Sequence, residues 1–265
     1  MSVDTEWAKN WSATEKFVPF CAAVHVLYPP ESPLIFDIEN WAMDAELYFR
    51  SQNESASDYA LAVDKMVGRY IRPQTVFVGH QLSSDLHMLR KIAQRPLKTV
   101  DAILAGFASR RHSKTNARLV VRDTRYDIRN RMTGDGGEKL RNVSLRLRIF
   151  AVQNELMSTS LTRLYNEYVR DGDRLKLEKL MVLNWRHAFQ TALVWAVDDN
   201  PGIPLSSAPT GSDFLVTNDV MFTMAHKRIG YVRSAEFQAS RNLEGISEYV
   251  RQYAPSIARE AGLIG

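Results

Sequence analysis

The stretch Thr75-Val76-Phe77-Val78-Gly79-His80-Gln81-Leu82-Ser83-Ser84-Asp85-Leu86 decides how the chain is read. Thr75 to Val78 are β-prone and predict a strand, which Gly79 breaks. A helix follows from near Ser83-Ser84, either of which can cap it, to Gln94. Leu86, Leu89 and Ile92 recur along it at helical spacing. Asp85 falls in its first turn, where the positive end of the helix dipole favours an acid, so a purely structural role would also explain it.

On the N-terminal side, Ser57 to Arg69 reads as an amphipathic helix, and Arg72-Pro73 turns the chain back into the strand. Leu34 to Ile38 predicts another strand, with a further one at Ala45 to Phe49. Phe17 to Tyr28 is apolar throughout and fits a strand or a buried helix until Pro29-Pro30 breaks it. Residues 1–16 are polar, with no pattern beyond Trp7 and Trp11. On the C-terminal side comes Leu97 to Leu104, containing Val100-Asp101-Ala102-Ile103-Leu104. Alternating strands and helices imply an α/β sheet with helices packed on it, and such sheets place their active sites at strand ends.

Two carboxylates, Asp37 and Glu39, close the apolar run Leu34-Ile35-Phe36. At i, i+2 on a strand they project from one face, and like charges so close are costly unless a cation neutralises them. Hard divalent metals are the usual solution. The single cysteine, Cys21, excludes an intramolecular disulfide framework and a thiolate zinc cluster, and fits a reducing compartment. Between Phe20 and Ala22 it reads as a small buried hydrophobe. The absence of an 18-residue apolar run and of a basic-then-apolar leader implies an intracellular protein with no membrane partner. No G-x-G-x-x-G turn supports a dinucleotide-binding enzyme.

The net charge of +4 is unevenly spread. From Arg110 to Arg148 there are twelve Lys/Arg and four Asp/Glu, leaving the remainder of the chain net acidic. A basic segment beside an acidic pocket suits an enzyme that tracks phosphates, so Arg110, Arg111, Lys114, Arg122 and Arg125, with His80, are expected to contact nucleic acid. Residues 105–150 are otherwise irregular, with a turn at Gly134-Asp135-Gly136-Gly137. Helices are expected over 156–169, 175–197, 214–229 and 235–253.

The order of these motifs resembles a family. A strand carrying D-x-E (Asp37, Glu39), then V-x-V-G-H followed by Asp85 and Leu89 on a helix, then V-D-x-x-L from Val100 to Leu104, looks like the DEDD exonucleases of the ribonuclease H-like superfamily. The stretch Val216-Thr217-Asn218-Asp219-Val220-Met221-Phe222-Thr223-Met224-Ala225 is similar to the last motif in a fungal branch of that family, which would make Asp219 the fourth acid. The resemblance covers roughly 34–104 and 214–229 of one domain spanning 1–265. It implies a mixed sheet flanked by helices, with a long basic and helical insertion at about 105–213.

It further implies that Asp37, Glu39, Asp85 and Asp219 hold two Mg²⁺ or Mn²⁺ ions and cleave nucleic acid from a 3′ end by two-metal hydrolysis. RNA and DNA remain open. The sequence departs from the pattern at the general base, a histidine five residues or a tyrosine four residues before the last aspartate. Those positions hold Phe214 and Leu215, neither of which accepts a proton. His226 and His187 are the alternative bases, and Asp198 or Asp199 an alternative last acid that reads better as a helix-ending turn. A fold that binds nucleic acid or a protein without cleaving is the competing expectation.

Overall fold

The computed structural model describes residues 1–9, 17–28, 42–51, 53–109, 119–129, 137–140, 143, 147, 159–199 and 231–232. Its core is a mixed α/β sheet flanked by helices. Strand β1 (Ser2–Lys9) lies at the centre, antiparallel to β2 (Phe17–Tyr28), which is antiparallel to β3 (Ala42–Phe49). On the other side of β1, β4 (Val76–Gly79) and then β5 (Val120–Asp123) run parallel to it, giving the order β5-β4-β1-β2-β3. The two-residue strand β6 (Tyr231–Val232) pairs parallel with β3 at the far edge.

β2 resolves the ambiguity of its own sequence. Residues Pro19 to Val26 are all buried because both faces of the strand are covered, and a strand covered on both faces shows no alternation. β1 lies in the segment that reads as polar and patternless. Its even residues Ser2, Asp4, Glu6 and Ala8 share one face, up to a register shift between Glu6 and Trp7, and its odd residues Val3 and Thr5 share the other.

Helices α1 (Ala56–Gly68), α2 (Leu82–Ala93) and α3 (Lys98–Ser109) cover the odd face. They bury Tyr59, Val63, Leu86, Leu89 and Ile103 against Val3, Val24 and Phe77. Helices α4 (Leu161–Asp171) and α5 (Arg174–Asp199) cover the even face, where Trp185, Phe189 and Leu193 pack on Phe20, Ala23 and Leu47. Within residues 105–213, read from sequence as an insertion, β5 therefore extends the sheet and α5 closes one side of the core. The 26 residues of α5 lack a clear apolar stripe because most of its described side chains between Leu177 and Val194 are buried.

The turn from β4 into α2 differs from expectation in its cap. Neither Ser83 nor Ser84 caps the helix; the N-cap is Gln81, in the left-handed region at φ 61°. The cap is supplied from a neighbouring strand. Asp123, at the end of β5, accepts hydrogen bonds from the backbone N–H of Gln81 (3.0 Å) and Leu82 (3.1 Å), and Arg125 N–H adds a third at 2.9 Å. A carboxylate at a helix N-terminus satisfies otherwise orphaned donors and meets the positive end of the dipole. Gly79 is required here, since a Cβ would stand 2.5 Å from the Leu82 side chain. Asp64 works similarly between α1 and α3, accepting from the N–H groups of Thr99 and Val100. Among the described residues no helix is long and apolar enough to cross a membrane.

Candidate metal centre

Three acids and an imidazole converge where the C-terminal end of β4 meets the middle of β1. Asp4 and Glu6 form a D-x-E pair two residues apart on the even face of the central strand, directly under α5. From α5, Asn184 and His187 descend one helical turn apart, on the same side of the helix. The Asn184 side-chain N–H donates to Asp4 Oδ2 at 2.8 Å. His187 Nδ1 lies 2.6 Å from Glu6 Oε1 and 3.7 Å from Asp4 Oδ2. One donor atom from each of Asp4, Glu6 and His187 falls within 4.8 Å of the others, a grouping able to hold a metal ion.

Asp85 approaches from α2 on the opposite face. Thr5, between Asp4 and Glu6, hydrogen-bonds to it through both hydroxyl and backbone N–H, while the Trp7 indole N–H donates to the same Thr5 hydroxyl at 3.0 Å. Burial raises the Asp85 carboxyl well above the usual carboxylate range, and the charges of Asp4 and Glu6 raise it further against the pull of the Thr5 bonds. Glu6 is raised for the same reasons, burial first and Asp4 second, with His187 opposing. Burial alone would depress His187, but the Glu6 charge, with the bonds and charge of Asp4, outweighs it and holds the imidazole at about 10. The side chains by themselves thus form a crowd of acids offset by one imidazolium.

His80 occupies the rim. Val78 pairs with Ser2, so two residues further on His80 stands beside Asp4. The Thr124 hydroxyl donates to the Gly79 carbonyl at 3.2 Å, which leaves its oxygen to accept from His80 Nδ1 at 2.9 Å. The proton is thereby fixed on Nδ1 and Nε2 keeps its lone pair. Burial depresses the ring to about 4, with Asp4 opposing and Arg125 and His187 assisting, so His80 is neutral at physiological pH. Arg125 hydrogen-bonds to the Gln81 side chain and lies over the Tyr126 ring at 5.7 Å. Arg122 lies over Trp195 at 5.8 Å.

Of the residues singled out by sequence, Asp85, His80, Arg125 and His187 thus gather at one end of the sheet, and Arg122 stands on β5. Asp37, Glu39, Asp219, Arg110, Arg111, Lys114, Phe214 and His226 lie outside the described residues. Asp198, on α5, accepts hydrogen bonds from the Arg129 N–H at 3.0 and 3.2 Å. Asp4, Glu6 and Asn184 were not anticipated. The signal for the first two was available as a second D-x-E, Asp4-Thr5-Glu6, flanked by Val3 and Trp7. For Asn184 and His187 it was a polar pair at i, i+3 inside an apolar helix.

Two carboxylates and an imidazole, with a third carboxylate alongside, are a donor set that suits a divalent cation. Comparison with known protein families, with curated proteins and with solved structures finds no match to this chain.

Proposed function

We propose that the protein is a metal-dependent nuclease that hydrolyses phosphodiester bonds from the 3′ end of a nucleic acid, on a ribonuclease H-like sheet. The observation that carries this reading is the convergence of Asp4 and Glu6, on the central strand, with His187, and the nearness of Asp85, on the helix that follows the V-G-H turn, to the charges of both acids. The resemblance sets its D-x-E at Asp37 and Glu39, outside the described residues; this reading gives that role to Asp4-Thr5-Glu6 instead. Mixed strand directions, with helices on both faces, agree with it.

In this reading Asp4, Glu6 and His187 hold Mg²⁺ or Mn²⁺, and Asp85, bonded to Thr5 between the two acids, adds its charge from the opposite face. When bound, divalent cations lower the pKa of an attacking water and stabilise the leaving 3′ oxygen. The chain's own residues do the rest. Asp123 fixes the start of α2 and so places Asp85; Asn184 orients Asp4; His80, neutral with Nε2 available, offers an acceptor for the water's proton at the rim. Arg125, beside His80, would meet a substrate phosphate.

The test is shortening of 5′-labelled single-stranded RNA and DNA in Mn²⁺. Stepwise loss from the 3′ end is expected, reduced about 100-fold or more in Asp4→Asn and Asp85→Asn. An unchanged substrate with wild-type protein rules the reading out.

A second reading, a fold that binds nucleic acid or a partner without cleaving, is favoured by one feature. The His187 imidazolium bonds directly to Glu6 and neutralises part of the cluster without a metal. Binding that survives Asp4→Ala and Glu6→Ala, with no cleavage by the wild type, identifies it.

A further inference from the structure

We infer that the site takes a first-row transition cation, of the Mn²⁺ to Zn²⁺ class, in preference to Mg²⁺, and that His187 sets this preference. The inference rests on the metal-site reading above and adds the identity of the ion. It stands on the donor set. Asp4 and Glu6 offer hard oxygens that any divalent ion accepts, whereas His187 offers an imidazole nitrogen from the adjacent face. Mg²⁺ binds oxygen almost exclusively and keeps its waters, so an imidazole adds little to its affinity; Mn²⁺, Co²⁺ and Zn²⁺ gain increasingly from nitrogen.

The spacing permits it. Ligand atoms at about 2.1 Å from a common ion stand roughly 3.0 Å apart in an octahedron and roughly 3.4 Å apart in a tetrahedron. The His187 Nδ1 distances of 2.6 Å to Glu6 and 3.7 Å to Asp4 bracket those values. The donor atoms of Asp4, Glu6 and His187 all lie within 4.8 Å of one another, so side-chain adjustments would bring them to one ion. Size does not separate Mg²⁺ from the transition ions here; donor chemistry does.

A second observation points to a ligand at the same place. Asn184 is fully buried, and its N–H side holds Asp4. Its Oδ1 has no hydrogen-bond partner among the described residues. A buried acceptor left unsatisfied is costly, and one lodged against a cation site is satisfied by the ion or by a water on it.

The experiment titrates the full chain separately with MnCl₂, ZnCl₂ and MgCl₂, following heat of binding and melting temperature. Wild-type protein is expected to bind Mn²⁺ and Zn²⁺ at least about 10-fold more tightly than Mg²⁺. His187→Asp is expected to bring Mg²⁺ to within about 3-fold of Mn²⁺, because the set becomes all oxygen. His187→Gln, which retains size without adding charge, is expected to weaken Zn²⁺ more than Mg²⁺. Equal affinities for Mg²⁺ and Mn²⁺ in the wild type, or an unchanged ratio in both variants, overturn the inference while leaving the metal site standing. No binding of any of the three cations overturns the metal site itself.

Discussion

Asp85 sits in the first turn of α2, where an isolated acid stabilises its helix through the dipole. Its neighbours reverse that expectation, because Asp4 and Glu6 crowd it and burial disfavours its charge. If Asp85 were only a helix-start acid, Asp85→Asn would cost up to about 1 kcal/mol. In the metal-free protein the substitution is instead expected to raise stability, by about 1 kcal/mol in urea unfolding, since Asn keeps an oxygen for the Thr5 bonds and removes a repelled charge. Asp123 is the opposite case. It is fully buried with three backbone N–H donors, so Asp123→Ala is expected to cost about 2–3 kcal/mol. The same change is expected to weaken metal binding by releasing the end of α2, measurable by the same titrations.

At the scale of elements, what could be read from the sequence followed the apolar pattern. The β4-turn-α2 unit was legible because Val76, Phe77 and Val78 end at a glycine and Leu86 and Leu89 follow at helical spacing. β1 was not, because two of its eight positions carry the acids of the site and a third the Thr5 that steadies Asp85; function displaced the residues that announce a strand. The α2 cap was missed because it comes from β5, some forty residues away, a distance no local signal spans. α5 was legible as a helix but not as the wall of the site, since burial along most of its length hides which face meets β1.

Its contribution is measurable. Trp185, fully buried, packs edge-on against His25 with ring centroids 4.3 Å apart and stacks with Phe189 at 5.4 Å. Trp185→Ala is expected to cost about 3–5 kcal/mol by thermal or urea unfolding. His25, packed against both rings with neither nitrogen bonded among the described residues, is depressed to about 3 by burial first and the nearby amino terminus second. It therefore stays neutral in the folded state while the unfolded chain takes a proton below about pH 6.5. Its contribution to stability is present above about pH 6.5 and is lost as pH falls towards 3, at about 1.4 kcal/mol per pH unit. Glu6, Asp85 and Asp123 have raised values and act in the opposite sense, but they do so equally in His25→Leu. The stability difference between wild type and His25→Leu is therefore expected to change with that slope between pH 6 and 4. A flat difference would show that His25 is solvated.

For the whole molecule, a sheet whose two faces are covered by separate helix groups is joined at one end by a cluster that costs stability without a cation. Asp4 and Glu6 belong to β1 and His187 to α5, so an ion bound by them would tie the central strand to the helices of one face. Saturation at 100 times the dissociation constant is expected to add about 2.7 kcal/mol to unfolding, and Glu6→Gln to remove most of that gain. Diffraction from Mn²⁺-loaded crystals at the manganese edge places the ion directly. An anomalous peak within bonding distance of Asp4, Glu6 and His187 is the expected result; His187 still hydrogen-bonded to Glu6 in fully loaded crystals, with no peak between them, would contradict it.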